Sequence, residues 1–303
     1  MSPPAELRPI PGHEAGVIHD IGFRHYTGPR LGRGYLLRSL YTESLKGAYG
    51  LGRSAKSKVL PFMMLAVMVL PAVIIAVVTG VTGAKELPLQ YTAYQFVLWP
   101  AISIFVAAQA PASVSRDLRF RVTPLYFSRP LTRGDYVRAK FAALCSAVFI
   151  LIGTALVVLY AGALLAELPF WAQTRGFLEG LVGAALLAGV LGGIGLLIAS
   201  VTPRRGFGVA AIITVFLLLN IVAGSLSSLT SQQGKDALAG YLGMISPLFL
   251  VDGTLSWLFG ADSNPPAPPP GTAGGIVYLL LTLVLIGGPY GLLLLRYRRV
   301  SAS

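Results

Sequence analysis

Six long apolar runs divide the chain: Leu60–Gly80, Tyr94–Val114, Val137–Leu165, Phe177–Val201, Phe207–Leu229 and Gly274–Leu295. Each is close to the roughly 20 residues that a helix needs to cross hydrocarbon. They predict an all-α polytopic membrane protein with six transmembrane helices in one domain, residues 60–296. Ahead of the first run, Gly34–Tyr49 sets Leu37, Leu40, Tyr41, Leu45 and Tyr49 at helical spacings, with Arg38, Glu43 and Lys46 between them. That pattern predicts an amphipathic helix inside a basic segment, residues 23–59. Two settings suit it, the membrane interface or a small soluble cap, and the closeness of the first span favours the interface. Met1–Gly22 is polar, Pro-containing and aperiodic, which predicts a disordered tail, and residues 297–303 form a second, short tail. Between the last two runs, residues 230–273 contain the apolar stretch Ser246–Gly260, too short to span and punctuated by Pro247 and Gly253. A re-entrant or interfacial helical element before span six is predicted there. Pro265–Pro270 then makes a stiff extended spacer.

Charge gives the runs a direction. Of the 24 Lys and Arg residues, 21 lie in the N-terminal region, between spans two and three, at Arg204–Arg205 and at the C-terminus. Only Lys85, Arg175 and Lys235 fall in the alternate links. By the positive-inside rule both termini and the central link are cytoplasmic, and 230–273 is extracellular. The alternation holds only for an even number of spans. The expected setting is a plasma membrane, with the richness in Ala, Gly and Arg suggesting a bacterial one. The net charge of +12 does not point to nucleic acid, because the cations are sorted by loop. Charged residues make up only 12% of the chain, about half the share in soluble domains. Cys145 is the sole cysteine and lies in an apolar run, so no intrachain disulfide is possible.

The most distinctive polar stretch is Ser115–Lys140, with seven cations against two anions, Asp117 and Asp135. A central Arg or Asp costs about 2.5 kcal/mol or more in hydrocarbon, so this link, 115–136, is in water. Yet it also carries Leu118, Phe120, Val122, Leu125, Tyr126, Phe127, Leu131, Tyr136 and Val137. Apolar, aromatic and Arg-rich surface of this kind either docks on another protein or lies on anionic lipid. Thr123–Ser128 suits a short helix, with Pro124 in its first turn.

Chemistry is sparse elsewhere. His13, His19 and His25 are six apart, outside helical ligand spacing, and no H-E-x-x-H, G-x-S-x-G or paired carboxylates occur. No catalytic residue, metal site or bound cofactor is therefore expected. Gly47–Ser54 matches a phosphate loop with Arg53 in place of Lys, but it follows a helical pattern and runs straight into a span, so no nucleotide fold fits. Uncharged polar residues in the spans include Asn220, Thr214, Thr154, Ser146 and Gln109. Asn220 and Thr214, with Glu179 near the outer end of span four, are candidates for a substrate path or for helix packing. Small residues recur every fourth position at Gly176, Gly180, Ala184, Ala188 and Gly192. Such a stripe permits close helix packing, or simply reflects a composition rich in Gly and Ala.

This arrangement of interfacial helix, six spans, basic loop after the second span and re-entrant pair before the sixth resembles the ABC-2 type transporter permease family. The motif that carries the resemblance lies in the central loop. Asp117 matches an acidic residue, Pro130 a proline, Thr132–Arg133 a Ser/Thr–Arg pair, and Lys140 the lysine that opens the third span. Arg121–Val122 stands where relatives often have Gly-Thr, and Ala139 where they have Gly. The resemblance implies that the loop is a coupling element docking on a separate ATPase subunit. Asp117, Arg121, Thr123, Pro124, Leu125, Tyr126, Phe127, Ser128, Arg129 and Pro130 would form the docking surface. It further implies two cytoplasmic ATPases per complex that hold ATP and Mg, a second permease copy or homologue, and a permease that is not itself an enzyme. Weakly polar spans suit export of an amphipathic or apolar cargo. A membrane enzyme acting on lipids or isoprenoids, and a non-transporting scaffold or sensor, are the rival expectations.

Overall fold

The computed structural model describes residue 28 and residues 31–119, 131–202 and 204–300. The chain divides into two units, Met1–Gly32 and Arg33–Ser303, and every element named below belongs to the second. The tail 1–22 therefore lies outside the described residues.

All regular elements among the described residues are helices, ten in number. They are α1 Arg33–Ala48, α2 Ala55–Thr82, α3 Tyr91–Val97, α4 Trp99–Arg119, α5 Arg133–Leu165, α6 Phe170–Val201, α7 Arg205–Gln232, α8 Asp236–Gly243, α9 Pro247–Phe259 and α10 Gly271–Val300. Five of them (α2, α5, α6, α7 and α10) are long and apolar enough to cross a membrane, and the bent pair α3–α4 brings the number to six if counted as one span. The protein is a polytopic helical membrane protein.

The second apolar run is not one straight helix. It starts at Tyr91 and bends by 61° at Leu98, between α3 and α4. Pro100 is the cause that the sequence supplies: it has no N–H to give the carbonyl of Phe96, so the α3 ladder cannot continue. Leu98 instead closes α3 with its N–H on Tyr94 O, and its own carbonyl accepts from Ala101 and Ile102. Between α7 and α10, α8 and α9 form a short pair, α9 opening with Ser246 as N-cap and Pro247 in the first turn.

The centre of the fold is α5 and α6. Their most apolar stretches are 56% and 61% buried, against 17–22% for α2, α7 and α10. At 33 and 32 residues they are about 50 Å long, well beyond a hydrocarbon core of roughly 30 Å. Small residues let neighbours approach closely. A Cβ on Gly162 of α5 would fall 2.1 Å from Ala76 Cβ of α2, and one on Gly195 of α6 would fall 2.6 Å from Val106 of α4.

The amphipathic helix α1 rests against α5. Tyr41 Oη donates to Ser146 Oγ at 3.0 Å and Tyr49 Oη to Ala147 O at 2.7 Å. Leu36, Leu40, Leu45 and Tyr49 pack on the buried core, so protein covers much of the apolar face. After α1 the chain turns at Tyr49–Arg53 and enters α2. Gly50 is required there: its φ is +67°, and a Cβ would sit 2.5 Å from Ser57 O. The phosphate-loop lookalike is thus a tight helix–turn–helix joint.

Candidate functional site

The sequence motif around the central loop becomes a cluster of contacts at the loop's base. Segment 120–130 lies outside the described residues, so Arg121, Thr123, Pro124, Leu125, Tyr126, Phe127, Ser128, Arg129 and Pro130 do too. Its two ends are described and are tied together. Lys140 Nζ on α5 lies 3.0 Å from Asp117 Oδ2 on α4, and the two side chains are only 10% and 15% exposed. Tyr136 Oη donates to the same carboxylate oxygen at 2.8 Å, and Lys140 also donates to Ser113 O at 2.9 Å. The ammonium further sits 5.5 Å from the Tyr136 ring centre, which adds a cation–π contribution. One lysine thus satisfies a carboxylate, a carbonyl and an aromatic face. Ser115 Oγ donates to Ala199 O at 2.9 Å and fixes the end of α4 to α6.

The first turn of α5 is built by a reciprocal cap. The Thr132 side chain accepts from Asp135 N, and Asp135 accepts from Thr132 N, so two otherwise orphaned N–H groups are satisfied. Arg33 then grips Asp135 with both arms, Nε to Oδ2 at 2.6 Å and Nη2 to Oδ1 at 2.9 Å. The same Nη2 reaches Thr132 Oγ1 at 3.0 Å. This fork-to-carboxylate geometry gives orientation as well as attraction. Arg133 donates to Arg298 O at 3.1 Å, and Arg138 to Tyr290 Oη at 3.3 Å, which join α5 to α10. The Tyr136 and Tyr297 rings are 5.1 Å apart. The base of the loop is therefore a junction of α1, α4, α5 and α10.

Arg33, Tyr136 and Tyr290 were not singled out by sequence as members of this junction. The capping pattern Thr132-x-x-Asp135 was a readable signal, with Asp in the position that Glu or Gln usually takes. For Arg33 no sequence signal existed, since it lies 102 residues from Asp135.

The other singled-out residues fall in different places. The stripe Gly176, Gly180, Ala184, Ala188 and Gly192 faces the chain's own interior. Gly176 and Gly180 back onto Tyr91 of α3, Ala184 and Ala188 are buried, and Gly192 backs onto Cys145 of α5. Gly189 and Gly193 receive Ile286 and Pro289 of α10. Glu179 pairs with Arg175, Oε1 to Nε at 2.8 Å, and Arg175 also donates to Phe259 O at 3.0 Å. Both line an open cavity of about 430 Å³ with Glu86, Gln90, Tyr91 and Gln173, at the opposite end of the helices from Asp117. Asn220 Nδ2 donates to Ser246 Oγ at 3.3 Å, which links α7 to the cap of α9. Thr214 is exposed on α7 and takes no part in that pair.

On the pair α8–α9, Asp252 is buried and accepts from Asn264 N at 3.0 Å and Asn264 Nδ2 at 2.7 Å. Burial pushes this carboxyl up to about 6, with the two bonds from Asn264 opposing the rise. Among the described residues no group of three or more His, Cys, Asp or Glu is placed to hold a metal ion.

The Asp117–Lys140 ion pair ties α4 to α5 on either side of the segment between Asp117 and Thr132, and Arg33 and Arg133 tie α5 to α1 and α10. No family model matches the chain, and no curated protein matches it.

Proposed function

We propose that the chain is the membrane-spanning permease subunit of an ATP-driven exporter of the ABC-2 type. The observation that carries this reading is the Asp117–Lys140 ion pair. It joins the two helices that lead into and out of the arginine-rich segment, so that segment can act as a handle. In this reading α3–α4 is one broken span and the total is six. The handle and both termini are cytoplasmic, α1 lies at the interface, and α8–α9 is the re-entrant element on the outer side. Two permeases, either two copies or one copy and a homologue, pair in the plasma membrane and engage two cytoplasmic ATPases that hold ATP and Mg. Closure of the ATPases pushes Tyr126 and Phe127 with their arginine neighbours, α4 and α5 tilt as a unit, and an amphipathic or apolar cargo is released outward. The step is rigid-body motion, so the residues named transmit force and break no bond.

The test is replacement of Tyr126 and Phe127 by Ala, followed by co-purification with the cognate ATPase and assay of ATPase stimulation. The expected result is loss of both, with the permease still folded by thermal melt. Unchanged pull-down and unchanged stimulation refute the docking site.

A further inference from the structure

Ser103 of α4, Asn220 of α7 and Ser246 at the start of α9 come from three distant parts of the chain, yet they line one small cavity. It holds about 10 Å³ and is otherwise walled by apolar groups such as Trp99, Leu191 and Phe216. That volume corresponds to about one water-sized sphere. Ser103 is 5% exposed, and its Oγ is buried with no hydrogen-bond partner among the described residues. An unpaired hydroxyl in such a place costs roughly 1–3 kcal/mol by protein mutational measures, so it signals a missing partner. We propose that this niche is a resident-water site, in which one water joins α4, α7 and the N-terminus of α9.

The polar inventory balances when a water is added. The Ser246 hydroxyl already accepts from Asn220 Nδ2 at 3.3 Å and from Phe249 N at 3.4 Å. Both its acceptor positions are used, and its own proton still needs an acceptor. Ser103 has a proton to give and lone pairs to fill, and Asn220 has a carbonyl oxygen as well as the amide already engaged. A water in the niche accepts from one hydroxyl, donates to the other side, and brings its partners to the two to four that buried waters have. A cation does not suit the place. The lining residues include no carboxylate, so an ion's charge would be left uncompensated in an apolar wall. Any larger ligand exceeds the volume.

The site has a structural consequence. Ser246 is the N-cap of α9, so the water holds the cap of the short pair to the second turn of α4. A bond through water can break and re-form after a small sideways shift of one helix, whereas a direct side-chain bond fixes the spacing. The niche is thus a compliant joint between the broken span and α7–α9. It stands on the cavity and the unpaired hydroxyl, and does not depend on the transport reading.

The test is a crystal structure of the full chain in a lipid mesophase, at a resolution that shows ordered water. The expected result is one peak about 2.7–3.2 Å from Ser103 Oγ and from Asn220 or Ser246, and its loss in Ser103→Ala. A niche without a peak, with Ser103 Oγ turned to the carbonyl of Trp99 or Pro100 in its own helix, overturns the proposal. A second readout is thermal unfolding of Ser103→Ala, Asn220→Ala and the double variant. The shared water predicts that the double variant loses clearly less melting temperature than the two single losses added together. Strict additivity overturns it. So does a stabilising shift specific to sodium when it replaces potassium, which would identify the occupant as an ion.

Discussion

Replacing Lys140 by Met keeps the length and helix propensity of the side chain but removes its charge. Among the described residues Asp117 then keeps the bond from Tyr136, in a position where its side chain is 15% exposed. At 3.0 Å and an effective dielectric near 20, the lost attraction is about 5 kcal/mol before desolvation is counted. Breaking one partner of a largely buried pair costs about 3–5 kcal/mol net. The lower end applies here, because Tyr136 still bonds to the carboxylate. A loss of about 3 kcal/mol corresponds to a melting temperature lower by about 5 °C for a chain of 303 residues. The assay is thermal unfolding of purified protein in detergent, read by monodispersity on size exclusion. The paired variant Lys140→Met with Asp117→Leu removes both charges and should recover more than half of the loss, since no charge is left stranded. If Lys140→Met shifts the melting temperature by less than about 2 °C, or the paired variant is as unstable as the single one, the junction is not held by this pair.

Three further outcomes follow from separate contacts. Gly162→Ala should destabilise by about 1–3 kcal/mol, because its Cβ would overlap Ala76 of α2, and Ala76→Gly in the same chain should restore most of the loss in a thermal melt. Asp135→Ala leaves the Thr132 side chain bonded to the residue-135 N–H but strips the return bond to Thr132 N and the grip of Arg33, and should cost about 0.5–1.5 kcal/mol from the return bond alone; Asp135→Ser, which restores neither interaction in full, should recover only part of it in the same melt. Asp252 has a carboxyl held near 6 in the fold and near 4 when unfolded, so its neutral form is favoured by folding. Its contribution is therefore fully present below about pH 4 and is lost as pH rises through about 6, a change of at most about 3 kcal/mol. The melting temperature should fall most steeply between about pH 4 and 6 and level off above about pH 7, and Asp252→Asn should flatten that slope.

The helical membrane class, the short apolar element before α10 and the extent of most long helices were legible because each depends on local composition. Hydrocarbon demands about 20 apolar residues in a row wherever they sit. The break at Leu98 was not legible from Pro100 alone, since Pro61, Pro71, Pro111 and Pro289 lie inside unbroken helices. Residues 120–130, most of the proposed docking surface, lie outside the described residues, and only the two ends of the link are described. The small-residue stripe on α6 was visible as spacing, but not its partners. Spacing says that something approaches closely; only packing says that Tyr91 and Cys145 do.

Taken by itself, the sequence determined that this chain lives among lipids, where its polar segments interrupt the apolar runs, and which links are rich in cations. These are properties of consecutive residues set against a uniform solvent. The tertiary structure decided which charges meet. Arg33 finds Asp135 across 102 residues, Asp117 finds Lys140 across a loop, and Asn220 finds Ser246 beside an unpaired Ser103. No linear pattern encodes such meetings. Their strength comes from a fixed distance, in surroundings that hold little water at Asp117 and Lys140 and more at the exposed Arg33, and helix packing sets that distance.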